Sequence, residues 1–204
     1  MKKRIVIIAT AVFVVATLVV GSTMAFFTDK GEVNNVVTIG KVNITLTEPN
    51  FAVNTKSTYQ VDNITPGMYI EKDPTVTNVG DHDAYIRCKL WVTGDLNDDQ
   101  QKDLINAIDF NPDFTQANGY YYYQKVLDKK PASGESKVKF FNSVTIPNTW
   151  DNTIGGKKFT IHITAEAIQK DNFRPTIVNS KITAWQYSDN SDVPVESALS
   201  SVNP

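Results

Sequence analysis

Lys158-Phe159-Thr160-Ile161-His162-Ile163-Thr164-Ala165-Glu166-Ala167 alternates without a break. Phe159, Ile161, Ile163, Ala165 and Ala167 fall on one side of an extended chain, and Thr160, His162, Thr164 and Glu166 on the other, because successive side chains of a strand point to opposite faces. Half-buried antiparallel strands read this way. The same pattern recurs upstream in Ala84-Tyr85-Ile86-Arg87-Cys88-Lys89-Leu90-Trp91-Val92, where Ala84, Ile86, Cys88, Leu90 and Val92 share a face. It recurs again in Lys41-Val42-Asn43-Ile44-Thr45-Leu46-Thr47. Thr75-Val76-Thr77, Tyr120 to Leu127 and Lys137 to Phe141 are further extended pieces. Thr65-Pro66-Gly67, Val79-Gly80-Asp81, Asn118-Gly119, Ser133-Gly134 and Gly155-Gly156 break the runs as turns. Many short strands punctuated in this way predict an all-β fold, a jelly-roll-like antiparallel β-sandwich. Only Asn97 to Ile108 departs from period two. It opens with capping residues and spaces Leu104, Ile105 and Ile108 as a helix does, so one short amphipathic helix is expected to cover the sandwich.

The N-terminus has a different logic. Lys2, Lys3 and Arg4 precede an almost wholly apolar run from Ile5 to Val20, and Gly21-Ser22-Thr23-Met24-Ala25 supplies small residues around a cleavage point between Ala25 and Phe26. The run is shorter than the roughly 20 residues a membrane-spanning helix needs, which favours a cleaved signal peptide; the alternative is an uncleaved N-terminal anchor. Cleavage removes three cationic side chains from a sequence whose formal charge is −2. The mature chain is then mildly acidic and has no dense Lys/Arg patch for nucleic-acid phosphates. The single cysteine, Cys88, excludes an intramolecular disulfide and reads as a buried thiol packing as a small hydrophobe. The expected organisation is a signal peptide over 1–25, an N-terminal segment over 26–40, a β-sandwich over 41–187 and a polar tail over 188–204.

Residues that could carry chemistry are sparse. The chain has two histidines, His82 and His162, and neither stands in His-Glu-x-x-His. His82 within Asp81-His82-Asp83 is the nearest approach to a metal-ligand set, and a polar turn explains the triplet as well. Asp95, Asn97 and Asp99 start like a calcium loop but lack the glycine and glutamate that complete one; helix capping accounts for them better. No Gly-x-Ser-x-Gly occurs. Tyr120 to Tyr123 would place two rings on each side of a strand, the ordinary use of tyrosine in sheet packing. The residues imply no catalytic centre, metal or cofactor.

The mature N-terminus is the unusual stretch. It begins Phe26-Phe27-Thr28-Asp29 and continues through Val33 to the β-branched Val36-Val37-Thr38-Ile39. Such a segment either starts its own sheet or adds a strand to a neighbour's, with backbone hydrogen bonds giving affinity. Ala25-Phe26-Phe27-Thr28-Asp29, Asn34-Asn35-Val36 and Gly40-Lys41-Val42-Asn43-Ile44 resemble the start of the TasA/camelysin (CalY) family of Gram-positive bacteria. The resemblance runs on in order through Ile64-Thr65-Pro66-Gly67, Val76-Thr77-Asn78-Val79-Gly80-Asp81, Ala84-Tyr85-Ile86-Arg87, Ala165-Glu166-Ala167 to Phe173, and Ala184-Trp185. It implies a jelly-roll sandwich, processing by a signal peptidase of the SipW type, and fibres of the biofilm matrix in which one subunit's N-terminal segment completes the next subunit's sheet. Carried onto this chain, the donor-strand residues are Phe26, Phe27, Val33, Val36, Val37 and Thr38. The expected partners are further copies of the chain or related matrix subunits, outside the cell, with membrane contact only through the signal peptide. Two alternatives stand beside this: a camelysin-like cell-surface metallopeptidase, and a monomeric surface adhesion or ligand-binding module.

Overall fold

The computed structural model describes residues 42–54, 61, 64–131, 136–151, 154–189 and 200–202. The signal peptide, the cleavage point at Ala25 and Phe26, and the segment 26–40 lie outside the described residues. In chain order the strands are β1 (Ile44–Thr47), β2 (Tyr69–Ile70), β3 (Thr75–Asn78), β4 (Ala84–Gly94), β5 (Ile108–Phe110), β6 (Phe114–Ala117), β7 (Tyr120–Tyr123), β8 (Ser136–Lys139), β9 (Phe141–Thr145), β10 (Phe159–Gln169), β11 (Phe173–Val178), β12 (Lys181–Tyr187) and β13 (Ser200–Val202). Among the described residues two α-helices, α1 (Pro49–Asn54) and α2 (Asp98–Asn106), and a 3-10 turn (Lys170–Asn172) accompany them. Every strand pairing among the described residues is antiparallel, and strands far outweigh the short helices, so the fold is all-β.

The two alternating runs of the sequence, β4 and β10, pair along all eleven residues of each. Ile163 faces Leu90, Ala165 faces Cys88 and Ala167 faces Ile86, so the two apolar stripes lie side by side. They sit at the centre of a five-stranded sheet of order β13-β10-β4-β7-β6. Two smaller sheets, β1-β3-β8 and β2-β9-β5, add Ile44, Leu46, Val76, Val138, Phe141 and Val144 to the same hydrophobic core. Phe140 occupies its aromatic centre, with ring centroids 5.1 Å from Phe114, 5.2 Å from Tyr121 and 5.4 Å from Phe110.

Several expectations need correction. The run from Lys137 to Phe141 is two strands, not one. Phe140 and Phe141 are both fully buried, and one regular strand cannot send consecutive side chains to the same face. The chain therefore leaves β3 after Lys139 and joins β2 and β5 from Phe141 onward. The helix ends at Asn106, and Ile108 opens β5 instead of closing the helix; Asn97 is the N-cap, in a capping box with Gln100. The covering helix is not alone: α1 is capped by the Asp73 carboxylate, whose Oδ1 accepts from the backbone N–H groups of Asn50 (2.9 Å) and Phe51 (3.3 Å). That cap comes from more than twenty residues downstream, where local capping rules do not look. Ser200–Val202, within the stretch expected to be a polar tail, forms β13 against β10. Finally, the outer face of the central sheet is not wholly solvated. The hairpin β11–β12 packs Phe173, Ile182 and Trp185 with Tyr122 and Ile168 to form a second apolar cluster there.

Cys88 lies at the centre of the main core with no exposed surface. Burial pushes its thiol pKa far up, and the charge of Glu166 adds to the shift. The native thiol keeps its proton at pH values where the unfolded chain releases one, above an ordinary thiol pKa of about 8.5. The contribution to stability is therefore intact below that value and declines as pH rises past it, by up to about 1.4 kcal/mol per pH unit. Denaturant midpoints at about pH 7 and about pH 9.5 are expected to separate more for the wild-type chain than for Cys88→Ala. Equal alkaline losses would show that the thiol does not contribute.

Candidate functional site

A strand in the interior of a sheet uses both edges of its backbone, and β10 uses only part of one of them. Its β4 edge is paired from Phe159 to Gln169. On its opposite edge, β13 pairs with Ala165, Glu166 and Ala167 alone. Among the described residues no strand pairs with Phe159 to Ile163 on that side. The backbone of this stretch borders a cavity of about 710 Å³ lined by Leu96, Val144, Ile146, Trp150, Phe159 and Ile161. Trp150 meets Phe159 edge-on, ring centroids 6.4 Å apart, and its indole N–H is buried with no acceptor among the described residues.

The same cavity is lined by Lys157 and Lys158, held in place from the α2 side. Lys157 Nζ donates to Gln100 Oε1 (2.8 Å). The Lys158 N–H donates to Asp95 Oδ2 (2.9 Å), while the Lys158 carbonyl accepts from the Asp95 N–H (2.8 Å). Asp95 is thus a clamp on the start of β10, and Asn97 and Asp99 belong to the helix cap and first turn. A hollow walled by apolar and cationic side chains, beside a strand edge that is unpaired among the described residues, can take an extended segment that carries both apolar and acidic residues.

On the outer face of the same two strands, Arg87 and Glu166 stand opposite each other. Arg87 Nε donates to Glu166 Oε2 (2.6 Å) and Nη1 to the Tyr122 hydroxyl (3.3 Å). The guanidinium carbon lies 3.9 Å from the Tyr120 ring centroid and 4.9 Å from that of Trp185. Burial works against its charge, but the hydrogen bonds to Glu166 and Tyr122 prevail and hold the guanidinium pKa above its ordinary value. The group locks the hairpin onto the sheet. No reading of a single strand finds it, because the pair exists only once the β4–β10 register is known.

The residues considered for metal binding do not converge. His82 Nδ1 is 2.9 Å from Gln169 Nε2 and 3.8 Å from Asp171 Oδ2. Asp83 points elsewhere: Oδ1 accepts from the Lys129 N–H (2.9 Å) and Oδ2 lies 3.4 Å from Lys170 Nζ. The backbone hydrogen bond from Lys129 is the main cause of the lowered pKa of Asp83. His162 is stacked on Trp91 (5.0 Å, 10° between rings) and meets the Thr93 hydroxyl at 2.7 Å. Among the described residues no three His, Cys, Asp or Glu side chains are placed to hold one ion. Of the four tyrosines, Tyr121 stacks on Phe110 and Tyr123 packs on Phe114 on the core side, while Tyr120 and Tyr122 serve the Arg87 cluster.

Residues 1–119, more than half of the chain, match the family model described as camelysin metallo-endopeptidase. The match runs from the N-terminus through β6 and ends before β7. No curated protein and no solved structure matches the chain.

Proposed function

This chain belongs to the camelysin metallo-endopeptidase family, and from that membership we propose an exported structural protein that polymerises into, or joins, an extracellular matrix fibre by donating its N-terminal segment. The observation that carries the reading is the β10 edge from Phe159 to Ile163, which no strand pairs among the described residues, beside a cavity with Val144, Ile146, Trp150 and Ile161 in its wall. A SipW-type signal peptidase frees the segment by cutting between Ala25 and Phe26. The segment then pairs as a strand with β10 of the next subunit and completes its jelly-roll-like sandwich. Val33, Val36, Val37 and Ile39 have the β-branched character that a strand on an apolar groove requires. Asp29 and Glu32 bring the negative charge that Lys157 and Lys158 complement.

The family description names a metallo-endopeptidase, an activity that needs converging metal ligands. His82 spends its Nδ1 on Gln169, Asp83 is turned toward Lys129 and Lys170, and His162 is stacked on Trp91. This set does not fit a catalytic zinc, which takes three converging protein ligands and an open position, and no hydrolytic step is assigned to it.

The test compares the mature protein with a variant lacking 26–40. The full mature chain is expected to form fibres by electron microscopy and light scattering, and the deletion to stay a folded monomer by circular dichroism. Equal fibre formation by the two would overturn strand donation. Stoichiometric metal with chelator-sensitive casein cleavage in the same preparation would replace this reading with the peptidase.

A further inference from the structure

The hollow at the start of β10 has a lopsided wall. Among the described residues that line it, Lys72, Lys157 and Lys158 are cationic and none is an aspartate or glutamate, in a chain whose formal charge is −2. The rest of the wall is mainly apolar, with Phe51, Ile70, Leu96, Ile146, Trp150 and Phe159 among its members. We propose that this hollow binds a small anionic amphiphile, a free single-chain carboxylate whose aliphatic body lies against the apolar wall and whose head meets Lys157 and Lys158. The inference goes beyond strand donation and belongs to the unassembled chain, because such a molecule and a donor's side chains exclude each other from one hollow.

The three lysines are not equivalent. Lys72 Nζ donates to Glu48 Oε1 at 2.5 Å and lies 4.4 Å from the Phe51 ring centroid, so its charge is already matched. Lys157 is half-buried and donates to Gln100 Oε1 at 2.8 Å, an amide oxygen without a net charge. Lys158 is exposed, and among the described residues no carboxylate forms an ion pair with its amine or with that of Lys157. The Asp95 clamp on the Lys158 backbone, through its N–H (2.9 Å) and carbonyl (2.8 Å), fixes this stretch before any ligand arrives. A preformed site loses less freedom on binding.

Trp150 points to the same ligand chemistry. It is 7% exposed, and its indole N–H has no acceptor among the described residues. Buried donors left unpaired are uncommon. Indole and ammonium groups donate and do not accept, so what this wall lacks is an acceptor, and a carboxylate brings two acceptor oxygens with a negative charge. The volume of about 710 Å³ falls within the range of small-molecule sites.

Isothermal titration of the mature chain with decanoate, kept below its micelle range, tests the proposal. One site per chain is expected, with Kd below about 1 mM and a negative heat-capacity change from apolar burial. Decanol, the same chain without the charge, is expected to bind at least about tenfold more weakly. Lys157→Gln combined with Lys158→Gln is expected to weaken decanoate at least about fivefold and to leave decanol unchanged. No saturable binding, equal affinity for decanoate and decanol, or an unchanged Kd in the double variant overturns the proposal. The fluorescence change on binding is expected to vanish in Trp150→Phe; a change that persists in full places the ligand elsewhere and overturns it as well. Two further outcomes would assign another occupant and overturn it: saturation only after removal of 26–40, which gives the hollow to the chain's own segment, and a response to anionic phospholipid vesicles with none to free decanoate. Fibres play no part in these readings, so a failure of strand donation leaves them standing.

Discussion

Arg87→Ala is expected to lower the unfolding free energy by about 3–5 kcal/mol, the range for removing one partner from a buried ion pair. Arg87 is 5% exposed, and the side chain of its partner Glu166 is 15% exposed. Truncation strips Glu166 of the donor at 2.6 Å, deprives the Tyr122 hydroxyl of a contact, and opens a void between the Tyr120 and Trp185 rings. Each loss falls on groups packed under the β11–β12 hairpin. The effect should therefore include early detachment of that hairpin, seen as a Trp185 fluorescence change ahead of the main transition in urea. Arg87→Met combined with Glu166→Gln removes both charges and keeps most of the volume; it is expected to recover more than half of the loss, because the penalty lies in stranding one charge more than in losing the pair. A single Arg87→Ala loss below about 1 kcal/mol, the value of a surface ion pair, would show that the cluster is solvated.

How much of this was legible in the sequence depends on how far apart the cooperating residues lie. The inner face of β10 could be read from ten consecutive residues, because period two is a property of one strand; Ile163, Ala165 and Ala167 are buried as their alternation requires. The Asn97 cap was legible for the same reason, since donor and acceptor lie three residues apart. The Asp73 cap on α1, the Arg87–Glu166 pair and the pairing of β13 with β10 join residues between 22 and 79 positions apart. No local pattern announces them. Phe140 and Phe141 misled for a related reason: an apolar pair at the end of an alternating run looks like the same strand continuing, and only the exchange of one sheet for another lets both reach the core. The candidate site was half legible. The residues proposed as donors stand out as an apolar stretch after the proposed cleavage point, but the edge proposed to receive them is defined by which described strands do not pair, and that is a property of the assembled sheet.

Gly94→Ala is the other substitution with a large expected effect, and it acts on the β10 edge proposed to receive the donor strand. Gly94 ends β4 opposite Phe159, the first residue of the open stretch, with φ at +118°. A β-carbon there would lie 2.3 Å from the Lys158 carbonyl oxygen and 2.7 Å from the Phe159 α-carbon. Both are backbone atoms, and neither can swing aside as a flexible side chain would. The Lys158 carbonyl is also engaged by the Asp95 N–H at 2.8 Å, so relief of the clash breaks that clamp. Backbone strain and overpacking together are expected to lower stability on the order of 3–5 kcal/mol. Gly119→Ala provides the control. Gly119 also has positive φ, +80°, but nothing lies within 4 Å of a β-carbon built on it, so it should register the backbone strain alone, about 1–2 kcal/mol. The difference between their urea midpoints isolates the collision with β10. Because that collision displaces Lys158 and Phe159 from the cavity wall, Gly94→Ala should also slow fibre growth under conditions where the variant remains folded, and Gly119→Ala should not. Equal losses of stability in the two variants would mean that the start of β10 can shift without cost, and the accepting edge would then be a pliant border instead of a preformed one.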